Sequence, residues 1–223
     1  MNTLNRDDLS SGSYLDSFSG LPDGVCLSAE QLEESLDLML AGRPLPDQGV
    51  WVFAYGSLIW NPTMEFTDRQ QATLDGWERS FCLHLIAGRA TVGRPGRMLS
   101  LEKGRAVEGV AYFLSGECAR QDLLAIWTRE MVLGAYLPLW LDVTLEDGRV
   151  VSALAFTANH DDAHWRDGSA LSCVARAISC AEGPYGTNAD YVRQLQRSLQ
   201  HEGLTDSYVE QVFNALEGAK QSC

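Results

Sequence analysis

The stretch Val50–Pro62, VWVFAYGSLIWNP, decides how the rest of the chain is read. It opens as an unbroken apolar run, Val50, Trp51, Val52, Phe53 and Ala54, the composition of a strand buried on both faces. It then turns through Tyr55, Gly56 and Ser57 into a second apolar patch, Leu58, Ile59 and Trp60, before Asn61 and Pro62 stop it. A buried strand that ends in a glycine turn leaves backbone N–H groups without ladder partners. Where such groups converge they can hold an anion or a polarised carbonyl oxygen. An ordinary first core strand with a tight turn accounts for the same residues, and the pattern alone leaves both readings open.

On the N-terminal side, Met1 to about Gly24 is rich in Ser, Asp and Gly without clear periodicity, and reads as a loose leader. Ser28 is placed to cap a helix reaching about Leu40 and ending at Gly42, and residues 43–49 form a polar link. Residues 1–45 are thus expected to be a partly disordered leader with one helix, and 46–223 a single domain. Beyond Pro62 the pattern predicts strands at Arg79–Ile86, Arg97–Leu101, Val107–Leu114 and Tyr136–Glu146. In the last of these Leu137, Leu139, Leu141, Val143 and Leu145 alternate at period two, with Trp140 on the other face. Asp147 and Gly148 turn the chain into a further strand, Arg149–Phe156. Helices are expected at Gly116–Met131, near Ala170–Ala181, at Ala189–His201 capped by Asn188, and at Asp206–Leu216 capped by Thr205. A run of strands with one helix inserted, followed by grouped helices, predicts an α+β fold.

With 223 residues the chain can bury a substantial core. A net charge of −13 argues against nucleic acid or an anionic membrane as the main partner, because no basic surplus exists to neutralise phosphates. A small-molecule substrate remains compatible. The segment 89–105 is locally basic, with Arg89, Arg94, Arg97, Lys103 and Arg105 against Glu102. Cys26, Cys82, Cys118, Cys173, Cys180 and Cys223 form no CxxC pair, which suggests a reduced compartment. The N-terminal residues show no apolar signal region and no stretch is long enough for a membrane span, so the expected location is cytoplasmic.

One residue interrupts the core pattern. Leu123, Ile126 and Trp127 fall at i, i+3 and i+4 of a helix, and the next position of that stripe is Glu130. Burying a carboxylate there costs several kcal/mol unless it is paired or neutralised. Arg129 leaves the helix about 100° away and is not its natural partner. Gly134 stops the helix, so its dipole also disfavours the charge at Glu130. Both effects raise the carboxyl toward the range of a general base. A buried Glu bonded to a core tyrosine, or one at the helix rim, would show the same pattern. Tyr136, six residues on, is a candidate wall of the same pocket. Gly88–Leu101, GRATVGRPGRMLSL, sets arginines among glycines and a proline beside a strand, either as a rigid donor-rich loop or as a solvated turn. His160 and His164 in HDDAHW have a zinc-like spacing but no HExxH character, so a surface loop is the better reading and no metal is expected. Cys82 and His84 alternate with core residues in a strand, where a buried Cys is inert.

Four stretches together resemble the ChaC family of γ-glutamylcyclotransferases, whose members are mostly glutathione-specific. FAYGSLIWNP resembles the family's FGYGSLIW, and TREM its REK or REM. GRATVGRPGRMLSL resembles RGxxxKPGRVxxL, matching at Arg89, Pro95, Gly96 and Arg97, and GPYGTNADYV resembles GPSGxNxEYL. The order is the family's order, over about Trp51–Phe213. Ala54 and Ala90 stand where the family has Gly, and Tyr185 where it has Ser. The resemblance implies a γ-glutamylcyclotransferase-like fold, a small mixed or antiparallel barrel-like sheet with surrounding helices. It further implies cleavage of glutathione to 5-oxoproline and cysteinylglycine without cofactor, by attack of the glutamyl α-amine on the γ-carbonyl. Glu130 would be the catalytic base, and Val52, Phe53, Ala54, Tyr55, Gly56, Ser57 and Leu58 would bind the γ-glutamyl unit. Arg89 and Arg97 would take substrate carboxylates. The competing expectations are turnover of other γ-glutamyl amino acids or amines, and a non-catalytic binding or transport-regulating role.

Overall fold

Five strands close into a barrel in the order β1-β3-β2-β4-β5: β1 (Val50–Ala54), β2 (Asp68–Leu85), β3 (Gly96–Leu114), β4 (Tyr136–Leu145) and β5 (Val150–Ala158). The structure is a computed structural model that describes residues 4–220 except 11, 17, 19, 23, 45–48, 116–118 and 169. The apolar run at Val50 becomes β1, held between β3 on one side and β5 on the other, with Val52 and Phe53 fully buried. Its pairing with β5 is parallel and every other pairing in the barrel is antiparallel. A strand covered on both faces needs apolar residues at consecutive positions, as this one has.

The β2–β3 hairpin is longer than the sequence pattern predicts. β2 begins at Asp68 rather than Arg79, and β3 runs unbroken where Gly104 and its charged neighbours suggested a gap. The charges are tolerated because this part of the ribbon is solvated on its outer face. Lys103 Nζ sits 3.6 Å over the Trp77 ring, and a side chain at Gly104 would collide with Glu78. α4 (Ala119–Met131) follows the ribbon, and its expected start at Gly116 lies outside the described residues.

α3 (Ala29–Ala41) starts at Ser28 with a full capping box to Gln31. α5 (Leu171–Cys180) leads into a two-strand turn, β6 (Glu182–Gly183) and β7 (Gly186–Thr187), and on to α6 (Asn188–His201) and α7 (Ser207–Lys220). Two caps fall one residue away from the expected ones. Thr187, not Asn188, caps α6 by accepting from the Asp190 N–H at 3.0 Å, because the Asn188 side chain is buried and occupied by the Arg97 N–H at 2.8 Å. Asp206, not Thr205, accepts from the Val209 N–H at 2.9 Å at the start of α7. Among the described residues no helix is long and apolar enough to cross a membrane. Cys118 and Cys223 lie outside the described residues, and Cys26, Cys82, Cys173 and Cys180 are free thiols.

The N-terminal segment departs from its expected looseness. It forms two short helices, α1 (Arg6–Ser10) and α2 (Ser13–Asp16), and buries Leu9, Tyr14 and Phe18 against Ala125 of α4 and Val132 just beyond it. Arg6 Nη2 lies 2.7 Å from Asp122 Oδ1, giving a partner to a carboxylate that is almost wholly buried. Composition hid this because the apolar residues are few and irregularly spaced, while the surface they cover belongs to a distant helix. Each buried side chain of this size is worth ~1.5–3 kcal/mol before the cost of ordering the chain. We therefore expect deletion of Met1–Gly24 to cost about 2 kcal/mol and to lower Tm by about 4–8 °C. Thermal melting within 2 °C of the parent would show that the segment adds nothing to stability.

Candidate active site

Glu130 lies where the buried stripe of α4 leaves the core. Leu123, Ile126 and Trp127 are almost inaccessible, whereas the Glu130 side chain keeps 14 % exposure and faces a cavity. Burial pushes its carboxyl above the ordinary value, and the Arg129 guanidinium pulls it partly back. Arg129 was set aside as a partner on helical geometry, yet its Nε lies 3.2 Å from Glu130 Oε1. The two Cβ atoms do diverge, but the long arginine stem carries its guanidinium back across the helix end. From there Nη1 donates to the Asn61 carbonyl at 2.8 Å and Nη2 to Ser57 Oγ.

The Tyr55–Ile59 turn forms the opposite wall. The N–H groups of Ile59 and Trp60 close a 3-10 turn on the Gly56 and Ser57 carbonyls, at 3.0 and 3.3 Å. The amides of Gly56, Ser57 and Leu58 open that turn and meet no carbonyl within it. Ser57 hydrogen-bonds to the Tyr191 hydroxyl of α6. A Cβ on Gly56 would lie 3.0 Å from Tyr191 Oη and 3.4 Å from Leu99 Cδ2, so the turn and α6 meet as closely as glycine permits. Beneath the turn, buried Arg79 donates from Nε to the Tyr55 carbonyl at 2.7 Å.

Tyrosines complete the inner wall. Tyr55 donates to the Phe156 carbonyl at 2.6 Å and Tyr136 to the Leu99 carbonyl at 2.8 Å. Burial, reinforced by the nearby Glu130 charge, pushes Tyr55 and Tyr136 well up and Tyr191 to about 12. All three stay protonated, so among the residues that border both parts of the cavity Glu130 is the one able to take a proton.

The cavity has two connected parts. Counting their open mouths, an inner space of about 300 Å³ is lined by Phe53, Tyr55, Gly56, Ser57 and Leu58, and an outer one of about 1080 Å³ by Arg89, Tyr185 and the N-terminal Tyr14 and Phe18. Ser57, Glu130, Tyr136 and Tyr191 border both, so Glu130 stands at the junction. Arg89 reaches the outer part and donates from Nη1 to the Thr187 carbonyl at 3.2 Å. Its loop is docked on the β6–β7 turn: Tyr185 N–H donates to the Gly88 carbonyl at 3.0 Å, and a Cβ on Gly183 would lie 2.5 Å from the Gly88 and Ala90 carbonyl oxygens.

Three of the expected residues line neither part of the cavity. Val52 and Ala54 are buried in β1 and support the turn from behind. Arg97 pairs with His84 across the β2–β3 ribbon, while its neighbour Met98 lines the cavity. The groups that act on the Arg97 charge are Arg166, Cys82, Tyr208 and Cys173, so its guanidinium faces α5 and α7 rather than the cavity. Conversely, Tyr14, Phe18, Arg129 and Tyr191 line the cavity without having been expected there. Tyr191 stands in the GPYGTNADYV stretch and shares the buried face of α6 with Val192 and Leu195, and a tyrosine on such a face is a second signal that points to it. His160 and His164 are each taken by a carboxylate, Glu102 and Asp162, both at 2.7 Å. Among the described residues no group of three or more His, Cys, Asp or Glu is placed to hold a metal. Burial and Glu102 push the Cys82 thiol up, as expected of an inert thiol.

Comparison with known proteins places this geometry. The chain is 42% identical over 212 residues to the glutathione-specific γ-glutamylcyclotransferase of Escherichia coli (strain K12), covering 92% of this chain and 91% of that protein. It is 28% identical over 175 residues to the glutathione-specific γ-glutamylcyclotransferase 1 of Mus musculus, covering 76% and 78%. The crystal structure of a selenomethionine-labelled, glutathione-specific γ-glutamyl cyclotransferase from yeast superposes with a TM-score of 0.72 over 77% of this chain and 97% of that one. At 21% identity, that last likeness is one of fold. Residues 50–219 match the family model described as ChaC-like protein, and with them the four ordered motifs and the barrel, the chain belongs to that family.

Proposed function

We propose that this protein cleaves glutathione to 5-oxoproline and cysteinylglycine, with Glu130 as the general base. The observation that carries the reading is the position of Glu130, a carboxylate raised by burial at the junction of an inner and an outer cavity. The 42% identity to the E. coli enzyme supports the substrate class. The γ-glutamyl unit occupies the inner space against the turn 55–58, and the cysteinylglycine portion lies in the outer space. Glu130 takes a proton from the glutamyl α-ammonium. The freed amine attacks the γ-carbonyl carbon, closing a five-membered ring and placing negative charge on the carbonyl oxygen. Amides at the start of the 3-10 turn, together with the Tyr191 hydroxyl, are the donors available to that oxygen. The bond from the γ-carbon to the cysteinyl nitrogen then breaks as Glu130 returns its proton to that nitrogen. The extra proton left on the attacking nitrogen passes to the same leaving amine, which departs as an ammonium while the ring keeps a neutral lactam N–H. Holding the glutamyl chain folded supplies the proximity that this ring closure needs.

On this reading residues 46–223 form the catalytic domain, and Arg89 is the cation that attracts the glycyl carboxylate. Free, dispersed thiols support a cytoplasmic location. A charged outer wall at Arg89 predicts clear preference for reduced glutathione over γ-glutamyl-lysine, read as 5-oxoproline release. Equal or faster release from the amine-type substrate would remove glutathione as the preferred substrate. No release from any γ-glutamyl compound would remove the enzymatic reading.

Glu130→Gln isolates the base. General-base catalysis is worth ~10²–10⁴-fold, or about 3–5 kcal/mol of barrier, so turnover should fall at least about a hundred-fold with glutathione binding retained. The Glu130 carboxyl titrates higher in the folded than in the unfolded protein. Its contribution to stability is therefore fully present below the ordinary carboxyl value of 4.5 and is lost as pH rises through the folded value. The melting temperature of Glu130→Gln relative to the parent should accordingly improve between pH 4.5 and pH 7.5. A folded variant with more than about a tenth of the parent rate would exclude Glu130 as the base.

Gly56→Ala tests the turn. Its φ of −129° is not left-handed, and the added methyl presses on Tyr191 Oη and Leu99. Displacing donors in this wall should cost about ten-fold or more in kcat/KM, with Tm lowered by less than about 5 °C. Parent-like kinetics would show that the amides and Tyr191 are not held for catalysis.

A further inference from the structure

The wall of the outer cavity is built partly by a segment that precedes residue 50, where the family match begins. Leu4, Tyr14 and Phe18 line this cavity beside Arg129 and Glu130. Tyr14 is the best anchored of the three. Its hydroxyl donates to the Arg129 carbonyl at 3.3 Å, its ring meets Phe18 edge-on at 5.0 Å, and it faces Tyr185 of the β6–β7 turn at 6.3 Å. The segment is pinned at both ends. Arg6 is paired with Asp122 and Glu65, the Leu4 carbonyl accepts from Asn61 Nδ2 at 2.8 Å, and Leu27 N–H donates to the Val132 carbonyl at 2.9 Å. Asn61 in turn gives its own carbonyl to Arg129, so the strap is tied to the residue that pairs with Glu130.

We infer that this N-terminal strap, through Tyr14, is a specificity-determining wall for the leaving group and limits the size of the cysteinyl side chain. The inference rests on the cyclotransferase reading above. With the γ-glutamyl unit in the inner space and the scissile bond at Glu130, the first side chain of the leaving peptide enters the outer space next to Arg129, Tyr14 and Tyr185. The chemistry there is aromatic and apolar, with Phe18, Val132 and Leu133 behind. Such a wall accepts a short, weakly polar CH2–SH group. A large substituent on that sulfur meets two tyrosine rings from separate elements, and the Tyr14 ring does not turn aside without breaking its bond to the Arg129 carbonyl. Exclusion therefore acts on S-conjugates of glutathione rather than on the free thiol.

The test compares kcat/KM for 5-oxoproline release from glutathione and from S-benzylglutathione, using the full chain. In the parent the benzyl conjugate should react poorly. Tyr14→Ala opens the wall, and the ratio of conjugate to glutathione should rise about ten-fold, the scale on which pocket shape discriminates apolar groups. Tyr14→Phe keeps the ring and loses only the bond to the Arg129 carbonyl, so its ratio should stay with the parent. A purely structural Tyr14 would lower both rates together and leave the ratio in place. A ratio that rises less than about five-fold in folded Tyr14→Ala overturns the inference while leaving the glutathione reaction intact. If Tyr14→Ala does not fold, Tyr14→Val shortens the wall while keeping an apolar anchor, and the same threshold applies. A parent that releases no 5-oxoproline from glutathione overturns both readings.

Discussion

Two arginines hold the glycine turn, and the site depends on their agreement. Arg79, 3 % exposed, reaches up from β2 and gives Nε to the Tyr55 carbonyl and Nη2 to the Glu108 carbonyl, while Nη1 meets Asp206 at 2.9 Å. Arg129 comes from α4 on the other side and takes Ser57 Oγ and the Asn61 carbonyl. Burying a guanidinium costs several kcal/mol, offset only when its donors are used with good geometry. Burial does lower the Arg79 pKa, and Asp206 opposes that shift. A turn fixed by backbone bonds from two directions keeps its amides in place without help from substrate. That is the preorganisation that electrostatic catalysis requires.

The same arrangement sets the strength of the base. A carboxylate alone among buried tyrosines is pushed upward by desolvation with nothing to oppose it. One fully paired with an arginine would be too weak a base. Arg129 divides its donors among Glu130, Ser57 and Asn61, so it lowers the Glu130 carboxyl only part of the way that burial raises it. Tyr55 and Tyr136 give their hydroxyls to carbonyls rather than to Glu130. The carboxylate thereby keeps lone pairs for a substrate ammonium.

How much of this was legible in the sequence follows from the range of each interaction. β1 and the α4 stripe were readable because consecutive or helically spaced apolar residues report burial directly, and Glu130 stood out as the break in that spacing. The α+β class and most helices came from the same local signals. The extent of the β2–β3 ribbon did not, because its partner strand, not its composition, supplies the ladder. Asn188 looked like a cap by residue type, and only the approach of β3 explains why its side chain serves the Arg97 N–H instead. Arg97 and Arg89 look alike in a basic loop. The first turns toward Tyr208 and Cys173 on the helical side, and the docked Gly88–Ala90 segment sends the second into the cavity. Tyr14 and Phe18 carried no periodic signal at all, since two turns of irregular helix show no pattern until the surface they cover is known.

The small residues around Gly183 explain why distant motifs form one site. Gly183 lets the Gly88–Ala90 backbone approach closely enough that a methyl group there would strike two carbonyl oxygens, and Gly96 leaves the room that the Asn188 amide fills. These contacts clip the end of β2, the start of β3 and the cap of α6 together. α6 then delivers Tyr191 to Gly56, so the position of one wall of the inner cavity is transmitted through backbone contacts from the wall of the outer one. The Gly183 clip is backbone to backbone and has little compliance, because no side chain can rotate to absorb a displacement, and the Asn188 amide is held in place by its burial. The YGSL turn, the Gly-Arg loop and the GPYG turn are therefore coupled pieces of a single rigid frame. The N-terminal strap, held mainly by side chains, is the part of the cavity wall that can vary without disturbing that frame.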